Sequence, residues 1–186
     1  MLIIGITGTL GAGKGTIVEY LTGEKGFVHY SVRAWLLEEI RRREMPENRD
    51  SMFNLANDLR TVNGPSYVTD QLFYQAQRSG KNCIIESIRT PGEIASLREK
   101  GTFFLFAVDA DPQIRYQRIL LRRSETDWIS SKTFLENEAR ETGTTDPNVQ
   151  NLQACIDQAD FVFRNNTTKG ELFKSVEKAL DTIMPR

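Results

Sequence analysis

The chain has 186 residues, 26% of them charged, with 24 Lys and Arg against 25 Asp and Glu and a formal net charge of -1. At this length roughly 70% of the unfolded surface is buried on folding, so one core suffices and a single domain over 1–186 is expected. Balanced charge argues against a global field for nucleic acid or anionic membrane and leaves room for a local basic cleft.

Met1 to Ile6 is apolar but too short to cross a bilayer, and it lacks a basic leader and a small-residue cleavage site. No signal peptide is expected, and the cytoplasm is the expected compartment. Leu2 to Thr7 predicts a buried strand, followed by a glycine loop and an amphipathic helix from Lys14 to about Leu21. Phe27 to Tyr30 predicts a second strand. A helix from Val32 to about Arg43 stops before Pro46, because the residue ahead of proline avoids the helical region. Asp50–Val62 and Ser66–Arg78 predict two further helices, divided by Asn63-Gly64-Pro65.

Cys83 to Ser87 predicts a third strand, with Pro91 in the first turn of the next helix. Thr102 to Asp109 predicts a fourth. Asp111-Pro112 supplies a cap and a first-turn proline for a helix bearing Arg115, Arg118, Arg122 and Arg123. A polar patch from Ser124 to Ser131 leads into a helix ending near Glu141. Asn148–Ala159 is expected to be helical, Phe161–Arg164 a fifth strand, and Thr168–Met184 a closing helix. Strands alternating with helices imply an α/β fold, a parallel sheet covered on both faces. Cys83 and Cys155 lie far apart without CxxC spacing; they read as buried thiols, with one disulfide as the alternative.

The strongest chemical signal is Gly8-Thr9-Leu10-Gly11-Ala12-Gly13-Lys14-Gly15-Thr16, set between a buried strand and a helix. Small residues let successive backbone N–H groups wrap phosphate oxygens, and the helix start adds unpaired donors and partial positive charge. Lys14 is expected to reach the terminal phosphates of a nucleotide. The residue after Lys14 is Gly15 instead of Ser or Thr, which moves the metal-ligating hydroxyl to Thr16. Magnesium gives up its waters reluctantly, so water-mediated contacts are expected there.

The Gly-x-Gly-Lys-Gly-Thr form resembles the loop of adenylate kinase and other nucleoside monophosphate kinases. The whole chain is similar to nucleotide-kinase-like proteins grouped near adenylate kinase and dephospho-CoA kinase. Leu59-Arg60 before Gly64-Pro65, Glu86-Ser87-Ile88-Arg89, Ala107–Pro112 and Asp160-Phe161-Val162 before Asn165 carry that similarity. The resemblance implies a P-loop NTPase three-layer fold with a five-stranded parallel sheet, an acceptor-binding helical region over about 31–79 and a small lid over about 122–142. It implies ATP and Mg2+ as cofactors and a small-molecule nucleotide acceptor as partner. The expected activity is transfer of the ATP γ-phosphate to a nucleoside monophosphate. The alternatives are dephospho-CoA kinase or another small-molecule kinase, and a nucleotide-responsive ATPase or regulatory module.

Gly8, Thr9, Gly11, Ala12, Gly13, Lys14, Gly15 and Thr16 are then expected around the nucleotide phosphates, with Asn165 near the base. Glu86 sits where a strand end faces the ligand crevice, and Arg89 can bind a phosphate through two parallel N–H bonds. Their alternative is an ordinary surface ion pair. Thr16 and Glu86 are the candidate metal contacts. Ser31 and Arg33 are candidate acceptor contacts, though Ser31 serves equally as a helix cap, and Arg60 is either an acceptor contact or a solvated arginine. Phosphoryl transfer needs distributed positive charge more than a strong base. Arg118, Arg122 and Arg140 are the candidates to supply it, against the alternative of a charged helix face. Arg41-Arg42-Arg43 reads as a solvated helix end, and lone His29 as a packed or exposed histidine without ligand partners.

Overall fold

The computed structural model describes residues 1–122, 130–143 and 145–184. Five strands, β1 (Leu2–Gly8), β2 (Val28–Ser31), β3 (Cys83–Glu86), β4 (Thr102–Asp109) and β5 (Phe161–Arg164), form one sheet in the order β2-β3-β1-β4-β5. Every neighbouring pair is parallel, with Ile4 opposite Ile84 on one side and Phe104 on the other. All seven residues of β1 are buried, as expected of a central strand covered on both faces.

From β1 the chain visits β2 and β3 on one side and then β4 and β5 on the other. The strand order reverses beside β1, which opens a crevice outside the carboxyl ends of the strands.

Among the described residues, the connections are α1 (Lys14–Lys25), α2 (Val32–Arg42), α3 (Arg49–Asn63), α4 (Tyr67–Ser79), α5 (Pro91–Lys100), α6 (Pro112–Arg122), α7 (Ser131–Thr142), α8 (Leu152–Asp157) and α9 (Lys169–Ile183). Two apolar clusters lie on opposite faces of the sheet. Leu36, Ile40, Leu55, Leu59, Leu72 and Ile94 belong to one, with Ile85 and Leu105 from the sheet; Ile17, Leu21, Val176 and Leu180 belong to the other, with Ile4, Ile6 and Phe106. Residues i, i+4 and i+8 in Val32, Leu36 and Ile40 show how one helical face reaches the first cluster.

The helix starts follow local chemistry. Thr90 accepts from the Glu93 N–H while the Glu93 carboxylate accepts from the Thr90 N–H, a reciprocal cap, and Pro91 follows at the first helical position. The expected helix over Asn148–Ala159 is corrected to Leu152–Asp157. Asn151 starts it by accepting from the Ala154 N–H, and its own N–H is taken by the Arg89 carbonyl. That cross-chain bond holds the preceding residues out of the helix. Cys83 and Cys155 are both buried free thiols. Burial in apolar surroundings pushes their pKa values up, to about 11 and about 12 respectively.

Candidate functional site

The loop Gly8–Gly13 leaves β1 and turns into α1. Gly13 stands at the helix start with φ 110° and offers no side-chain cap, unlike Ser31, Asn48, Thr90 and Thr168, which cap their helices. The first turn of α1 therefore meets the crevice without a side-chain cap. Three loop glycines are demanded by close approach, among them Gly11, with φ 79°, whose Cβ would lie 2.6 Å from the Arg115 carbonyl oxygen. A Cβ on Gly8, whose φ is 142°, would lie 2.0 Å from the Val108 carbonyl oxygen, and one on Gly13 would lie 2.4 Å from Asn165 Nδ2. At Gly15 a Cβ would meet nothing within 4 Å, so that position stays open.

Neighbouring elements hold the loop from beneath. Asn165, at the end of β5, donates Nδ2–H to the Ala12 carbonyl at 2.7 Å, and Thr9 donates its hydroxyl to Asp109 at 2.6 Å. Arg115 on α6 is buried; it donates to the Ala110 carbonyl at 2.6 Å and, more distantly, to the Leu10 carbonyl at 3.5 Å. The same guanidinium pairs with Glu138 and lies over the Phe134 ring, which ties α7 to the loop. Lys14 bends back along the loop, donating to the carbonyls of Gly8 at 2.8 Å and Thr9 at 2.9 Å.

Beside the loop, β3 ends at Glu86. The next residue, Ser87, has φ 75°, a left-handed conformation that a residue with a Cβ rarely adopts. The Ile6 carbonyl accepts from both the Ser87 and Ile88 N–H groups, which holds this turn in place. Arg89 Nη1 donates to the Gly8 carbonyl at 3.1 Å. His29, the expected lone histidine, approaches Glu86 with Nε2 at 3.2 Å from the carboxylate. Burial pushes the Glu86 pKa up, but the His29 contact and the charges of Lys14 and Arg89 outweigh it and hold the carboxyl below its ordinary value.

A cleft of about 700 Å³ runs from this loop to α2, α3 and α7. Its loop end is lined by Gly11, Gly13, Lys14, Gly15 and Thr16, with Glu86, Arg89, Arg118 and Asn165 close by. Its far end is an apolar slot of Val32, Leu36, Met52, Phe53 and Ala56, edged by Arg33, Arg49 and Arg60. Glu141 from α7 and Gln150 line it as well.

Several expected residues meet there and others do not. Lys14, Gly15, Thr16, Arg33, Arg60, Glu86, Arg89, Arg118 and Asn165 share the cleft. Gly8, Thr9 and Ala12 act through the loop backbone under it. Ser31 caps α2 by accepting from the Ala34 N–H at 3.2 Å, and it is not among the described lining residues. Arg60 is 1% exposed and bonded to Glu93 at 2.8 and 3.1 Å, so it is a buried ion-paired residue and not a solvated one. Arg140 turns to Asp50 at 3.0 Å and lies 4.3 Å from the centre of the Phe53 ring. Arg123 and Asp127-Trp128 lie outside the described residues, as does the side chain of Arg122.

Arg49 and Glu141 were not anticipated. They sit 92 positions apart and are bonded to each other; nothing local in the sequence signals that pairing. Burial pushes the Glu141 pKa up, yet the charges of Arg89, Arg49 and Lys14 and the Arg49 bond bring it below the ordinary carboxylate value.

Residues 4–143 match the model of a family described as the AAA domain. The chain belongs to the AAA domain family. It is similar to the UPF0200 protein of Pyrococcus horikoshii, 24% identical over 98% of both chains, and to that of Pyrobaculum aerophilum, 27% identical over 96% of both. Among solved structures it is similar in fold to TT1252 from Thermus thermophilus, with a TM-score of 0.67, 22% identity and coverage of 100% of this chain and 98% of the other. It is likewise similar in fold to a gluconokinase from Sinorhizobium meliloti, with TM-score 0.61, 11% identity and coverage of 98% and 93%. A shikimate kinase from Bacteroides thetaiotaomicron gives 0.56, at 13% identity over 98% of both chains. The chain has a P-loop kinase-like fold, and no described helix is long and apolar enough to cross a membrane.

Proposed function

We propose that this protein transfers the γ-phosphate of ATP to a small acceptor that itself carries a phosphate, a nucleoside monophosphate above all. One observation carries the reading: a single cleft joins the phosphate-wrapping loop to an apolar slot edged by arginines. An aromatic base fits the slot of Leu36, Met52 and Phe53, and Arg33 and Arg89 are the acceptor-phosphate contacts.

The residues present suit the nucleotide. Gly15, where a Cβ would meet nothing within 4 Å, leaves the start of α1 open to a phosphate, and among the described residues Arg118 Nη1 is buried without a hydrogen-bond partner. Lys14 follows the terminal phosphates, and Arg118 adds positive charge where negative charge spreads in the transition state. Asn165 holds the loop beneath the nucleotide. Thr16 and Glu86 would hold magnesium, which would supply positive charge against the phosphates. Helix α7, held to α6 through Arg115 and to α3 through Arg140, covers the cleft and excludes water that would compete with the acceptor.

In the reaction an acceptor phosphate oxygen attacks the terminal phosphorus in line as the bond to the ADP oxygen breaks. That oxygen is already ionised at neutral pH, so no general base is needed. Glu86, which lines the cleft beside the loop, supports a second reading in which the acceptor is a hydroxyl, as in dephospho-CoA, and Glu86 takes its proton.

The test is incubation with Mg-ATP and, separately, each nucleoside monophosphate, its deoxy form and dephospho-CoA, with products identified by mass. Phosphorylation of a monophosphate faster than background ATP hydrolysis is expected. Phosphorylation of dephospho-CoA alone selects the second reading. ATP hydrolysis with no phosphorylated acceptor overturns both and favours an ATPase or regulatory module.

A further inference from the structure

The cleft holds two carboxylates that the proposed chemistry does not use, Glu19 and Glu141, and the second is the one tied to its cations. Glu141, on α7, is 6% exposed and bonded to Arg49 Nη2 across the cleft from α3. Its charge is felt by Arg89, from the turn after β3, and by Lys14, from α1. Arg49, Arg89 and Lys14, cations from three separate elements, line the same cleft as this side chain carried by a fourth. The cleft has more donors than this carboxylate satisfies: among the described residues, Arg49 Nε and Arg118 Nη1 are buried without a hydrogen-bond partner. Isolated buried donors of this kind cost stability unless something fills them. Arg49 adjoins the apolar slot of Met52 and Phe53, one and a little over one helical turn away on α3.

We propose that Arg49 joins Arg89 as the seat for the acceptor's anionic group, with Arg33 lining the same cleft as a further contact, and that the Glu141 carboxylate fills this seat until a phosphate displaces it. The inference rests on the phosphotransferase reading for the identity of the acceptor, though the seat itself is defined by the two arginines and the carboxylate. A phosphate carries more charge and more acceptor oxygens than a carboxylate, so it satisfies both guanidinium groups and the idle Arg49 Nε together. Because Glu141 must be displaced from Arg49, a neutral or weakly charged group does not compete with it, which makes it a specificity residue: only a strongly anionic group takes its place. The same exchange frees α7 at its Glu141 end while Arg115 keeps the helix anchored to the loop.

Calorimetric titration of the full chain with AMP and with inorganic phosphate, in the absence of ATP, tests this. Glu141→Gln keeps an oxygen to accept from Arg49 but removes the competing charge, and it is expected to bind both probes about tenfold more tightly than the parent. Glu141→Asp keeps the charge and is expected to bind within about twofold of the parent. Arg49→Gln is expected to weaken both probes and to erase the gain when combined with Glu141→Gln. Binding of Mg-ATP, measured separately, is expected to change little in Arg49→Gln, which separates the seat from the phosphate loop. Equal or weaker probe binding in Glu141→Gln, with unchanged circular dichroism, overturns the proposal and makes Glu141 a structural tie. Absence of phosphate and AMP binding in every variant also overturns it, whereas transfer from ATP to a hydroxyl acceptor would still leave a kinase.

Discussion

Lys14 donates to two carbonyls of its own loop, and in the proposed reaction those are the bonds that terminal phosphates replace. Its value lies in being charged at that point, not in packing, so Lys14→Ala is expected to keep the parent's thermal midpoint within a degree or two. Transfer, however, falls by about 10²–10³-fold, as on loss of one preorganised transition-state donor. Near-parental turnover would remove Lys14 from the chemistry. Arg89 differs because it acts on two groups, the Gly8 carbonyl and the Glu141 carboxylate, whose pKa its charge lowers. Arg89→Ala is expected to cost roughly 2.7–4 kcal/mol in transition-state stabilisation, seen mainly as a raised acceptor KM with a lesser change for ATP. Equal effects on both substrates would make Arg89 a support of the loop instead of an acceptor contact.

At the scale of elements, the buried Arg60–Glu93 pair joins α3 to the start of α5, and Glu93 also accepts from the Arg89 and Thr90 N–H groups. Arg60→Met is expected to destabilise by about 3–5 kcal/mol, because it strands the Glu93 charge in a dry site. The double variant Arg60→Met/Glu93→Gln is expected to recover part of that loss in denaturant unfolding; no recovery would mean that the pair is not the source of the effect. This pairing marks where sequence reading reaches its limit. Elements with a strong local cause were legible: β4 and β5 fall where their apolar runs place them, and α5 starts at Pro91. The loop was legible too, since its glycines, Lys14 and the flanking strand and helix are contiguous. Arg60 was visible only as a choice between ligand contact and solvent, because its partner lies 33 positions away. Arg49 and Glu141 were not visible at all, being joined only by the crossing of α7 over α3. The Asn148–Ala159 stretch has helical composition, but its first residues are held by a backbone bond to Arg89 that no local pattern encodes.

For the whole molecule, Cys83 and Cys155 lie in the core on one face of the sheet, with thiols pushed well above neutral pH by burial. Neither is expected to react with iodoacetamide at pH 7.5 until the chain unfolds, so their alkylation rate should follow global opening; fast labelling of either in the native protein would contradict the packing. Acid sensitivity is a second global property, and its sign follows from the cleft. Glu86 and Glu141 both have folded-state pKa values below their ordinary carboxylate value, held there by His29, Arg49, Arg89 and Lys14 against the opposing effect of burial. A depressed folded pKa means that the unfolded chain binds the proton more readily. Each group then contributes stability that is complete above the unfolded value of about 4.3 and is lost as pH falls through the folded value. Urea midpoints are therefore expected to be flat from pH 7 to about 5 and to drop below that, with a shallower drop in Glu141→Gln because one of the two linked protons is gone. An equally steep drop in the variant would mean that the cleft carboxylates do not drive acid unfolding. Nucleotide should act in the opposite direction at neutral pH, since its phosphates bind the same cations only in the folded state and raise the midpoint with concentration.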